Sequence, residues 1–124
     1  MILPLQQPGA LYIDGAFVAP GEGHEDPVLN PATEEVIAMA PYGGLADGEA
    51  AIAAARSAFD TGSWPIMSIR ERVAYLQKMV DVLESRAAEI CELIVLEAGS
   101  VQSNAKARQF DVPMKHFRYF KQHQ

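Results

Sequence analysis

The stretch "LNPATEEVIAMAPYG", residues 29–43, decides how the rest of the chain is read. Asn30-Pro31 opens a turn, because a residue before proline is steered away from the helical region and an Asn side chain bonds its own backbone. Thr33, Glu34 and Glu35 carry that turn, "VIAMA" reads as a short strand, and Pro41 is expected to stop it. Gly43 and Gly44 then stand directly before an alanine-rich segment. A β-rich region, 1–43, therefore gives way to a helical one, 44–124.

Upstream, "LYIDGAFV" holds two short β-favouring runs separated by Asp14-Gly15. That dipeptide suits a type I′ turn, which needs positive φ at both central positions, so a hairpin is predicted. The following "APGEGHEDP", residues 19–27, reads as an acidic loop. The β region is then one hairpin plus a further short strand.

Downstream the pattern is helical. Asp47 is the expected N-cap with Glu49 in the first turn, Ile52, Ala55 and Phe59 mark an apolar face, and Gly62 is the stop. Ser68 and Glu71 form a capping box, in which hydroxyl and carboxylate each satisfy a backbone N–H. From there Val73, Leu76, Val80, Leu83, Ala87 and Ile90 make one apolar stripe, ended by Gly99. About thirty residues is long for one globular helix, so a break is predicted near Ser85–Ala87. From Val101 onward the chain is helical again, with Pro113 as a kink or restart. The fold class is α+β, with three or four helices.

The totals narrow the function. A chain of 124 residues with net charge −6, carrying 16 acidic against 10 basic residues and no basic run, has nothing to neutralise a phosphate backbone; nucleic acid is excluded as a partner. The densest apolar run, "LIVL" at 93–96, falls far short of a membrane span, and "MILPLQQPG" has no basic start and two prolines, so it does not read as a leader. One cysteine, Cys91, rules out an internal disulfide and suits a reducing, cytoplasmic setting.

No catalytic set is legible. The glycines of "PYGGLADGEA" precede a helix, where a phosphate cradle belongs, but Asp47 and Glu49 at the same helix start repel an anion. Cys91 lies within a helical run beside Glu89 and Glu92, which oppose thiolate formation, so a structural role is expected. His24, His116 and His123 lack metal-ligand spacing, and the acidic pairs Glu25-Asp26 and Glu34-Glu35 read as solvated turns. The aromatic group "HFRYF" arrives close to the last residue, where no further element follows to pack against it.

Taken in order, "YIDGAFV", "NPATEEVIA", "AAIAAARSAFDTGSW", "RERVAYLQKMVDVLESRAAEI", "LEAG" and "FRYF" resemble the N-terminal segment of the NAD(P)-dependent aldehyde dehydrogenase superfamily, over nearly the whole chain. The resemblance implies the opening of a cofactor-binding domain, hence a single partial domain. In that family a cysteine thiolate attacks the aldehyde, hydride passes to the nicotinamide, and a glutamate activates water; those residues lie further along. Cys91 does not match the catalytic cysteine. No catalytic or cofactor-binding residue is expected here, so NAD or NADP belongs to the complete enzyme and not to this chain alone. The resemblance also implies a monovalent cation held by carbonyls of Val28 and Leu29 and the carboxylate of Glu97, with a further ligand from downstream. Ser100 stands where the family often has lysine, and the closing "KQHQ" departs from the family's continuation, which suggests a truncated or frameshifted reading frame.

Three readings follow. The chain is the front of an aldehyde dehydrogenase, inactive alone; or a retained binding module that associates with a full-length partner or with itself through exposed apolar helix faces; or an unrelated small α+β protein.

Overall fold

The computed structural model describes residues 9–21 and 24–122, the side chains of Lys121 and Gln122 excepted. The leader reading of residues 1–8, Glu22 and Gly23 of the acidic loop, His123 and the end of "KQHQ" lie outside the described residues. The chain forms two compact units: one holds the described residues up to Leu29 together with Glu34–Ile66, the other Asn30–Thr33 and the described residues from Met67 onward.

In the first unit, β1 (Leu11–Ile13) and β2 (Ala16–Val18) form the expected antiparallel hairpin, with Tyr12 opposite Phe17. Asp14 and Gly15 take φ of 52° and 78°, the positive values the tight turn requires. The Tyr12 and Phe17 rings meet edge to face at 5.1 Å across the pair.

A second antiparallel pair joins β3 (His24–Leu29) to β4 (Val36–Tyr42). The first of these corrects the sequence reading, because His24–Pro27, taken as loop, are strand. Glu, Asp and Pro are poor strand formers, and all four residues from His24 to Pro27 are exposed, so no alternation of apolar and polar residues announced them. Pairing with β4 imposes the strand from outside the segment. Pro41 does not stop β4 either: it lies within it, opposite Glu25, and a two-stranded sheet leaves every strand an open edge where a missing donor is tolerated. The register shifts between Val28 and Leu29, with Val28 opposite Ala38 and Leu29 opposite Val36, so Ile37 is a bulge residue.

Helix α1 (Leu45–Thr61) begins one turn earlier than expected. Gly44 is the N-cap and Asp47 is the third helical residue, its carboxylate reaching back to the Gly44 N–H at 2.9 Å. Asp47 thus caps from inside the helix, and Glu49 falls beyond the first turn. The face that packs is also different. Ala51, Ala54, Ala55 and Ala58 border a shallow depression with the hairpin residues Tyr12 to Gly15, while Ile52 and Phe59 are 71% and 63% exposed. Small side chains let helix and hairpin approach closely, and the bulky ones are turned away. Gly62 ends the helix as predicted, and a short 3-10 turn (Trp64–Ile66) follows.

In the second unit, α2 (Ile69–Ser85) opens with the predicted capping box. The Ser68 Oγ accepts the Glu71 N–H at 3.3 Å, and the Glu71 carboxylate accepts the Ser68 N–H at 2.9 Å. The long helix breaks where expected, at Arg86, and α3 (Ala87–Ala98) ends at Gly99 with φ 65°. The chain then runs through α4 (Gln102–Asn104), a π-helical segment (Ala105–Phe110) and α5 (Asp111–Gln122). Pro113 falls in the first turn of α5, just past the irregular segment rather than at a visible kink.

The core lies in this second unit. Val80, Phe110 and Met114 are buried against one another, with Leu83, Ala87, Ile90 and Cys91 partly buried around them. An ion pair from Glu84 on α2 to Arg118 on α5 borders it. Among the described residues, the only other buried one is Ala105. The turn at Asn30–Thr33 belongs here too: Asn30 Oδ1 accepts the Ala32 N–H at 2.9 Å, and Pro31 abuts Gly99 so closely that a Cβ on that glycine falls 2.6 Å from the proline ring.

Candidate functional site

The start of α1 is where a phosphate would bind if this chain held a cofactor. Two glycines precede the helix, and the first N–H groups of any helix point outward with a partial positive charge. Here that place is taken. The Asp47 carboxylate accepts N–H bonds from Gly44 at 2.9 Å and from Gly21 at 3.0 and 3.3 Å. A resident carboxylate holds the Gly44 and Gly21 amides and repels a second anion, so these residues do not fit a dinucleotide's pyrophosphate. The sequence showed the repulsion; the bond from Gly21 was not legible, because it bridges 26 positions.

Cys91 is half-buried on α3 beside the Val80, Phe110 and Met114 cluster. No base partners its thiol among the described residues, and its surroundings are apolar packing.

His24 sits on β3, its Nε2 3.1 Å from Asp26 Oδ1 and its ring edge-on to Tyr42 at 5.5 Å. Glu25 and Asp26 are on the same strand rather than in a loop, and Glu34, with φ 60°, and Glu35 lie in the connection to β4. His116 is exposed on α5. Among the described residues, no group of three His, Cys, Asp or Glu side chains is placed to hold a metal.

The three positions matched to a cation site fall in both units. Val28, half-buried, and Leu29, exposed, flank the register shift at the end of β3 in the first unit. Glu97 is exposed in the last turn of α3 in the second. Two main-chain carbonyls and a carboxylate are hard oxygen donors, the chemistry that suits an alkali cation.

Two pairs carry perturbed acidities. The Glu71 carboxyl is held below its ordinary value by hydrogen bonds from the Ser68 side chain and backbone. Glu89 is likewise lowered, chiefly by its hydrogen bond with Arg86, whose guanidinium is raised in return. Both are fixtures at the starts of α2 and α3.

What the surface does offer is apolar area. Leu45, Ile52 and Phe59, spaced by seven residues along α1, are 77%, 71% and 63% exposed. Tyr119 and Phe120 at the end of α5 are exposed as well, as the crowding of aromatics near the last residue foreshadowed. No described helix is long and apolar enough to cross a membrane.

Comparison with known proteins gives this surface its context. The profile of the aldehyde dehydrogenase family matches residues 17–124. Aldehyde dehydrogenase 1 of Tanacetum cinerariifolium is 38% identical over 110 residues, which is 89% of this chain and 22% of that protein. The human mitochondrial 10-formyltetrahydrofolate dehydrogenase is 31% identical over 94% of this chain and 13% of its own length. Among solved structures, an aldehyde dehydrogenase of Mycobacterium tuberculosis complexed with NAD+ superposes with a TM-score of 0.87 at 32% identity, covering 92% of this chain and 24% of that one. The chain spans about a quarter or less of the relatives it matches.

Proposed function

The chain belongs to the aldehyde dehydrogenase family and corresponds to its N-terminal segment, and from that premise we propose that the complete protein oxidises an aldehyde to a carboxylic acid with NAD as the hydride acceptor. In that reaction water supplies the second oxygen and NADH and a proton are released. One observation carries the reading: a fold match of 0.87 over 92% of the chain at 32% identity, with a relative bound to NAD+. The choice of NAD over NADP rests on that bound relative.

This chain contributes scaffold and not chemistry. Its single thiol is packed into the α2–α3–α5 core, and its one helix start with glycines is closed by Asp47. We therefore infer that it is inactive alone, and that the remainder of an aldehyde dehydrogenase chain covers its exposed apolar faces. On the family resemblance alone, Val28, Leu29 and Glu97 are assigned to a monovalent cation site of the complete enzyme.

The test is reconstitution. The chain is mixed with a separately produced polypeptide carrying the remaining three-quarters of a related aldehyde dehydrogenase. Aldehyde-dependent NADH formation by the mixture, and by neither part alone, supports the reading. A mixture that binds tightly yet never turns over favours the second reading, a non-catalytic module that associates with a full-length partner through the same exposed residues.

A further inference from the structure

The helical run after Gly99 contains a departure that its sequence did not announce. Ala105–Phe110 is a π-helical segment, in which the Asp111 N–H bonds the carbonyl of Lys106, five residues back. The side chains of the same two residues are paired, with the Lys106 ammonium 3.0 Å from each Asp111 oxygen. Within the same stretch Ala105 and Phe110, also five apart, are both buried, and Met114 follows four residues later in the same cluster.

An α-helix cannot do this. It turns about 100° per residue, so two positions five apart point about 140° away from each other. With regular geometry either Ala105 or Phe110 faces solvent. Widening one turn by a residue lets both be buried, as π-bulges do inside longer helices. Lys106 to Gln109 are exposed in between, and no side chain among these four is buried.

We propose that this turn is a conformational joint holding one surplus residue, and that it keeps two buried registers in phase: Ala105 upstream, Phe110 and Met114 downstream. Pro113 works with it, since its ring opposes the carbonyl four residues back, at Gln109, and so disfavours a regular ladder through the segment. Separately, the Gln109 side-chain Oε1 accepts the Ser100 hydroxyl at 2.8 Å and fastens the turn after Gly99 to the joint.

The inference predicts an unusual tolerance. Deleting exposed Ala107 places Ala105, Phe110 and Met114 at positions i, i+4 and i+8, one continuous α-helical face, and puts Lys106 four residues from Asp111. The deletion variant of the full chain should melt cooperatively within about 5 °C of the parent, with the contact between Val80 and Met114 methyls still visible by NMR. Deleting exposed Asp81 from the regular helix α2 is the comparison; it breaks the three-residue spacing of Val80 and Leu83 and should abolish both the cooperative melt and the methyl contact. Loss of the Val80–Met114 contact in the Ala107 deletion, or equal tolerance of both deletions, overturns the proposal.

Discussion

The Asp47 carboxylate joins two backbone amides that are far apart in the chain, Gly44 at 2.9 Å and Gly21 at 3.0 Å. One bond caps α1 and the other anchors the segment leaving β2. Replacing Asp47 with alanine leaves both donors to water and should cost about 1 kcal/mol, in the range of other helix caps. Hydrogen exchange of the Gly21 and Gly44 amides checks it: both should accelerate together, and a variant in which only Gly44 changes contradicts the bridge.

Gly99 is fixed twice, by a positive φ of 65° and by the Pro31 ring, 2.6 Å from where a Cβ would sit. Gly99→Ala should therefore lose more than the left-handed strain alone, which is about 1–2 kcal/mol. Thermal melts of Gly99→Ala and Gly99→Ala/Pro31→Ala test this. Partial recovery in the double variant is expected; no recovery places the whole cost in the backbone.

Core substitutions should sort by burial. Phe110→Ala opens a cavity at a buried site and should cost about 3–5 kcal/mol, whereas Leu76→Ala, on a half-buried side chain, should fall below the usual 2–5 kcal/mol for Leu→Ala, at about 1–2 kcal/mol. Cys91→Ser swaps a partly buried thiol for a hydroxyl and should cause only a modest loss. Denaturant titration ranks the three, and a Leu76 cost equal to that of Phe110 contradicts the placement of the core.

The capping box sets an acid limb. Because the folded Glu71 carboxyl titrates below its ordinary value near 4.5, its contribution is fully present above that value and disappears as pH falls through the lower folded value. Glu71→Gln should lower stability at neutral pH, where the carboxylate's contribution is fully present, and flatten the pH dependence of stability below about 4.5. Ser68→Ala, which removes the leading cause of the shift, should do the same; an unchanged acid limb in both variants contradicts the assignment.

The legible parts of the fold were those written in local chemistry. Asp14-Gly15 announced its hairpin, Ser68 and Glu71 their cap, Gly62 and Gly99 their helix ends, and the stripe from Val73 to Ile90 its buried side. The illegible parts depend on partners distant in sequence. β3 exists because β4 pairs with it, not because His24-Glu-Asp-Pro favours a strand. The exposed side of α1 was misread because Ile52 and Phe59 carry the helical period of a buried face and yet are 71% and 63% exposed. The π turn escaped because a 3.6-residue period was applied to a segment whose core positions are five apart. As for the site, the half-buried place of Cys91 on α3 was legible from the apolar residues around it. The closure of the α1 start by Asp47 needed the structure.

We infer that this chain carries family scaffold without family chemistry. The most direct measurement is NADH formation by the purified chain with NAD and a panel of aldehydes, run alongside Cys91→Ser. The account predicts no NADH from either protein. Aldehyde-dependent turnover by the parent that vanishes in a folded Cys91→Ser variant would contradict it, and would make Cys91 the nucleophile.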